Sequence, residues 1–305
     1  MQITISGGKM EGVHAAPHDI ENPKDPLQEE LDNLSPLSPL RCIYRVPKRL
    51  RWVNEEAYTP QVVSIGPLHH GKEHLKAMEE HKKRYLRVFL RRTGVSFSDY
   101  IQMIKEKEGR LRGCYAEPIE FGSDEFVRIV LVDVAFVIEF LLRNYSSDYR
   151  QDEDDYIFNK PQMLCDVRPD LRLLENQLPF FILQDLFKKL FPSSHQLPSF
   201  LEISYYFFGS EINSKGKEKK FKQICSSGEE VQHFVDLIRI LYLPVEPKPE
   251  EGLNSIAVPN VTELVQAGVQ FRVRTESSDL FDIKFSDVLM WCSPISNPGI
   301  PTIEP

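Results

Sequence analysis

Apolar residues along this chain recur mainly at helical spacing. Between Lys72 and Arg92, Leu75, Met78, Tyr85 and Phe89 share one face, and Lys76, Lys82, Lys83, Arg87 and Arg91 are assigned to the other. Gly94 follows as a stop. The spacing predicts further helices over about 96–108, from Ser123 through Leu142, and from Val231 to Tyr242. Ser123 is read as an N-cap, with Asp124 and Glu125 in the first turn, where the helix dipole favours acids. The most apolar run, Phe126–Leu142, is 17 residues long and carries Arg128, Asp133 and Glu139. A charge at mid-bilayer costs about 2.5–3.5 kcal/mol, so this run reads as a buried core helix and not a membrane span. On a helical wheel Asp133 falls among Phe126, Val130, Val137 and Phe140. A lone acid on an apolar face must be paired or protonated.

Other stretches break the helical pattern. Residues 41–68 are interrupted by Pro47, Pro60 and Pro67, and Val62–Ile65 reads as a short strand ended by Gly66-Pro67. In residues 166–192, Pro169 is assigned to a helix first turn, Leu171, Leu174 and Leu178 to one apolar stripe, and Pro179 to a kink or restart. Glu175, Asn176 and Gln177 sit inside this apolar block. They are expected to be hydrogen-bonded there, through backbone groups that Pro179 frees. Residues 211–229 read as mobile, and PVEPKPEEGLNSIAVPN as a linker. Thr262–Ala267 is a short helical turn; VQFRV (269–273) and LFDIKF (280–285) flank a polar RTESSD as a β-hairpin. The expected class is mostly α with a small β element (α+β): a helical body with a short sheet built from the 60s and residues 269–285. Residues 1–38 are read as a disordered leader, 39–285 as a single domain and 286–305 as an irregular tail.

Composition narrows the function classes. The chain has 305 residues, 41% hydrophobic and 27% charged, which fits a globular protein. Its net charge of −8 argues against nucleic acid as a partner, since that affinity comes from neutralising phosphates. Residues 41–112 carry +9 and the remainder −17, so the basic part could meet an anionic membrane surface or form an ordinary solvated helix face. The N-terminus shows no secretory signal. Five scattered cysteines without a CxxC pair read as reduced thiols.

Chemical motifs are sparse. His70-Gly71-Lys72-Glu73-His74 matches H-x-x-E-H, in which two histidines on one helix bind zinc. Gly66, Pro67 and Gly71 place His69 and His70 in a loop at the helix start, and no acidic third ligand can be placed, so the expectation is two rings pointing apart and no metal site. His69 or His70 is expected to donate to a carboxylate or carbonyl and hold the loop. Four acids at Asp152–Asp155 lack the Gly and terminal Glu of a calcium loop and read as solvated. No nucleophile elbow, P-loop or dinucleotide motif occurs. No catalytic residue, metal or cofactor is assigned.

Several blocks together carry a family resemblance. They are IYRVPKRLRWVNEEAYTPQVVSIGPLHHGKEHLKAMEEHKKRYLRVFLRR (43–92), CYAEPIEFGSDEFVRIVLVDVAFVIEFL (114–141), LLENQLPFFIL (173–183), VQHFVDLIRILYLP (231–244) and TELVQAGVQFRVRTESSDLFDIKF (262–285). The chain resembles the plant family of domain of unknown function 247. The resemblance implies no established enzymatic activity, an association of some grass members with pollen–stigma self-incompatibility, and attachment of full-length members to the plasma membrane by a C-terminal helix. That helix is absent here, which suggests a truncated form that is cytoplasmic as a soluble chain. Family-typical positions include His69, His70, Asp133, Glu175, Asn176 and Gln177, without assigned roles. Three readings follow. The first is a non-enzymatic interaction or signalling protein with an unidentified protein partner. The second is a hydrolase or transferase with a site around His69, His70, Asp133 and Glu175–Gln177. The third is a peripheral membrane binder acting through the basic 72–92 helix.

Overall fold

The computed structural model describes residues 38–150, 155–190, 198–214, 216–228, 230–243, 259–273, 284–285 and 290–292, with Leu27 alone before them. Contacts divide the chain into 1–38 and 39–305, and the account below concerns the second unit. The expected leader, apart from Leu27 and Ser38, lies outside the described residues, as do 244–258 of the expected linker.

The body is mostly helical. In chain order the helices are α1 (Lys48–Arg51), α2 (Lys76–Thr93), α3 (Phe97–Lys105), α4 (Glu108–Gly113), α5 (Ser123–Tyr145), α6 (Pro161–Asp170), α7 (Phe180–Phe187), α8 (Phe200–Gly209), α9 (Lys217–Ser227), α10 (Phe234–Tyr242) and α11 (Val261–Gln266). The centre is α5, which packs against α2, α3, α7 and α8. From Phe126 to Arg143 it is buried except at exposed Arg128 and partly buried Val132. Phe126, Phe136 and Phe140 are fully enclosed, and Phe140 meets Phe207 of α8 edge-on at 5.5 Å between ring centres. No helix among the described residues is long and apolar enough to cross a membrane.

Local sequence explains most boundaries. α2 ends at Gly94, whose φ of 66° supplies the left-handed cap and whose N–H bonds Leu90 O at 3.0 Å. α8 starts with a capping box between Ser199 and Glu202, and α11 with one between Asn260 and Glu263. Ser123 departs from expectation. It is the first helical residue of α5 after Gly122, and its hydroxyl bonds Glu108 instead of capping. The predicted helix over 96–108 is two helices, α3 and α4. Residues 217–227, read as mobile, form α9, because Tyr205 stacks on Phe221 at 4.0 Å and Ile224 is buried. Pro161, not Pro169, occupies the helix first turn, and Pro169 lies near the end of α6.

The β element differs from the expected one. Strand β1 (Phe271–Val273) pairs in parallel with β3 (Met290–Cys292), and β3 pairs antiparallel with β2 (Lys284–Phe285). The order β1-β3-β2 puts Met290–Cys292, from the segment read as an irregular tail, between the two arms of the expected hairpin. The rest of that tail lies outside the described residues. Residues 62–65 join no ladder. Their hydrogen-bonding groups are taken by side chains instead.

Candidate functional site

The segment Gln61–Gly66 enters the core with no neighbouring strand, and Val63, Ser64, Ile65 and Gly66 are buried. Buried backbone groups need partners. Asp170, at the end of α6, accepts three of them: Gln61 N at 2.9 Å, Val62 N at 2.7 Å and Val63 N at 2.8 Å. Asn176 accepts from Ile65 N at 2.8 Å and donates to Val63 O at 2.9 Å and Asp170 O at 3.0 Å. Asp133 on α5 accepts from Gly66 N at 2.8 Å. Lys82 on α2 donates to Ser64 O at 2.8 Å and to Asp133. Three carbonyl-bearing side chains and one lysine thus replace a strand.

Gly66 is required where it stands. Its φ is +76°, and a Cβ there would meet Gln177 O at 2.5 Å. The close approach seats the loop against Gln177, whose carbonyl also accepts from Tyr115 at 3.1 Å.

The Glu175-Asn176-Gln177 block lies in the turns between α6 and α7, not on a helix, so the expected Leu171–Leu174–Leu178 stripe does not form. Leu171 and Leu178 are buried and Leu174 is only partly so. Pro179 is the N-cap of α7, and the residue before a proline is pushed out of helical backbone. Gln177 donates to Leu171 O at 2.8 Å and Leu173 O at 2.9 Å and accepts from Phe234 N, the first residue of α10, at 3.1 Å. The three polar side chains therefore bond both distant segments and carbonyls of the turns just before them, not chiefly groups freed by Pro179.

Glu175 faces the N-terminal part of the domain. It accepts from Val46 N at 2.6 Å and pairs with Arg51 at 2.6 Å, while His69 Nε2 stands 3.4 Å away. Burial raises this carboxyl, but His69, Arg51 and the Val46 N–H outweigh it and hold it down at about 2. Burial lowers His69, against the opposing pull of Glu175. Asp133 is pushed up to about 6 by burial, against the pull of Lys82 and the Gly66 N–H.

The remaining histidines disperse. His70 meets the edge of Phe121 at 5.7 Å, and His74 Nε2 contacts Pro60 O at 3.0 Å. Among the described residues, no group of three or more His, Cys, Asp or Glu side chains could hold a metal. The structure thus sets His69 beside Glu175 and joins Asp133, Asn176 and Gln177 to one loop and its seat, but sends His70 and His74 elsewhere. The pocket beside Arg168, Tyr205 and Tyr206 includes none of them, nor does the one beside Gln184, Ile224 and Cys225.

Four participants were not expected. Lys82 was assigned to the outer face of α2 but is fully buried. Its position was legible: it sits in the apolar series Leu75, Met78, Tyr85, Phe89, as Asp133 does on α5. Asp155, from the loop read as solvated, is buried and bonds Tyr85 at 2.9 Å and Arg143 at 2.5 Å; 151–154 lie outside the described residues. Asp170 and Arg51 gave no periodic signal.

Residues 43–295 match the family model DUF247, described as a plant protein of unknown function. A UPF0481 protein of Arabidopsis thaliana is 31% identical over 269 residues, covering 78% of this chain and 53% of its own. A putative UPF0481 protein of the same plant is 32% identical over 149 residues, 47% of this chain and 26% of its own. The chain spans about half the length of the first and a quarter of the second. No solved structure matches.

Two outcomes test the hub. Lys82→Met leaves Asp133 buried without its cation, and a loss of about 3–5 kcal/mol is expected in denaturant unfolding. Adding Asp133→Asn, which keeps an acceptor for Gly66, should return part of that loss; strictly additive costs would contradict the pairing. For Glu175, a folded pKa of about 2 against an ordinary 4.5 means stability present above pH 4.5 and lost as pH falls toward 2. The gap between wild type and Glu175→Gln should be on the order of 3 kcal/mol at neutral pH. It should close on acidification through that window; a gap that widens there would contradict the ion pairing.

Proposed function

The chain belongs to the plant DUF247 family, and we propose that it acts as a non-enzymatic interaction protein that presents an apolar anchor to a protein partner. The observation that carries this is at the end of α1. Trp52 is 83% and Val53 85% exposed, next to exposed Leu50. Scattered exposed apolar residues are normal, but an exposed Trp flanked by Val and Leu is a binding anchor when its support is rigid.

The support is rigid. Arg51, one residue before Trp52, is tied to buried Glu175, to Thr59 at 3.3 Å and to Tyr58 O at 3.3 Å. Val46, just before the helix, is held by the same Glu175. Lys48 and Arg49 are exposed beside the anchor. The partner surface this fits is an apolar pocket with an acidic rim. The setting we propose is at or near the plasma membrane, where the family resemblance puts full-length members.

The hydrolase or transferase reading draws less support. His69, Asp133, Glu175, Asn176 and Gln177 converge on backbone and on one another, whereas a catalytic set converges on an open pocket.

Affinity capture from plant tissue with the wild-type chain beside Trp52→Ala/Val53→Ala tests the proposal. The expected result is a stoichiometric protein whose direct binding to the purified chain weakens at least about tenfold in the variant. The variant's thermal midpoint should be unchanged, since both side chains stand in solvent. Equal binding by the variant would sink the proposal.

A further inference from the structure

Two thiols meet where the start of the domain joins its body. Cys42 N and Ile43 N both donate to Cys114 O, at 2.9 and 3.0 Å, and Ala116 N donates to Ile43 O at 2.9 Å. This is a parallel bridge between Ile43 and Tyr115, so the preceding residues Cys42 and Cys114 lie side by side. Laterally paired residues stand about 5 Å apart at Cα, inside the range that a disulfide spans. Both cysteines are free, and they are only 7% and 5% exposed. The two thiols are near enough for each to shift the other's titration. Cys114 in turn donates to Arg110 O at 3.3 Å, and the Arg110 side chain is half-exposed and paired with Glu230 at 2.8 Å.

We propose that Cys42 and Cys114 are a modification site, closed to a disulfide by a peroxide. Cys114 is the attacking sulfur. The neighbouring Cys42 thiol and the nearby Arg110 charge hold its thiol below the ordinary range, against burial, while the Cys114 neighbour and burial push Cys42 up. The Cys114 sulfur attacks one peroxide oxygen and the O–O bond breaks. Cys114 becomes a sulfenic acid, and the departing hydroxide leaves as water with the Cys114 proton. The Cys42 sulfur then attacks the sulfenic sulfur. The S–O bond breaks, the S–S bond forms, and a second water leaves with the Cys42 proton. Two thiols give two electrons to one hydrogen peroxide.

The closed loop runs from residue 42 to 114 and contains α1, the Gln61–Gly66 segment and all of α2. It also fixes the Cys42 carbonyl, which His233 at the head of α10 contacts at 3.0 Å. Constraining so long a loop lowers the entropy of the unfolded chain and so raises stability.

The purified, reduced full chain is titrated with hydrogen peroxide and mapped by non-reducing peptide mass spectrometry. Two of the five thiols should disappear together as one Cys42–Cys114-linked peptide. The thermal midpoint should rise, and dithiothreitol should reverse both changes. Cys42→Ser should abolish the rise and leave Cys114 to over-oxidise. Oxidation confined to the exposed Cys165 and Cys225, with no Cys42–Cys114 peptide in the wild-type chain, would overturn the proposal.

Discussion

A buried segment outside any ladder must have its N–H and C=O groups satisfied, and here no neighbouring strand is available to do it. Val63–Gly66 lies in the core, and Asp170, Asn176, Asp133 and Lys82 act as the ladder of the 61–66 segment. An unmet buried backbone group costs about 1–3 kcal/mol, so five or more such bonds decide whether this segment can be inside at all. Each partner comes from a different place in the chain: α2, α5, the end of α6, and the turn before α7. Seating the segment therefore requires these elements to be in register together.

The same economy governs the charges on α5. Asp133, Glu139 and Arg143 are all buried. Each has an opposite charge from outside the helix: Lys82, Arg92 at 2.9 Å, and Asp155 at 2.5 Å. Two of the three partners come from α2, so α2 and α5 are locked by ion pairs as well as by apolar packing. Such pairs need not add net stability over apolar substitutes, but they penalise any slip in register, because a buried charge left alone is costly. Glu175 extends the scheme to the surface by fixing Arg51 and Val46, and through them the helix that exposes Trp52.

Much of this was legible in the sequence where the signal was periodic. The α5 core, the α2 stop at Gly94 and the α10 helix follow from apolar spacing and cap chemistry. The need for Asp133 to be paired followed from its apolar neighbours, and the burial of Glu175–Gln177 from theirs. Lys82 was missed because a lysine was assigned outward by type when its position in the apolar series argued inward. The 62–65 segment was read as a strand because its residues are β-formers; its partners, two acids, an amide and a lysine far along the chain, carry no pairing pattern. Likewise Met290–Cys292 is too short to be periodic, so its place between β1 and β2 could not be read. Tertiary partners that are side chains leave no repeat in a single sequence.

The most direct test of this account is amide hydrogen exchange at Gln61, Val62, Val63, Ile65 and Gly66. If side chains replace a strand, these amides should exchange only through openings about as costly as those of the α5 amides around Phe136 and Phe140. In Asn176→Ala, protection of the Ile65 amide should collapse first while the α5 amides stay protected. Rapid exchange of the 61–66 amides in the wild-type chain, at the rate of an exposed loop, would contradict the account.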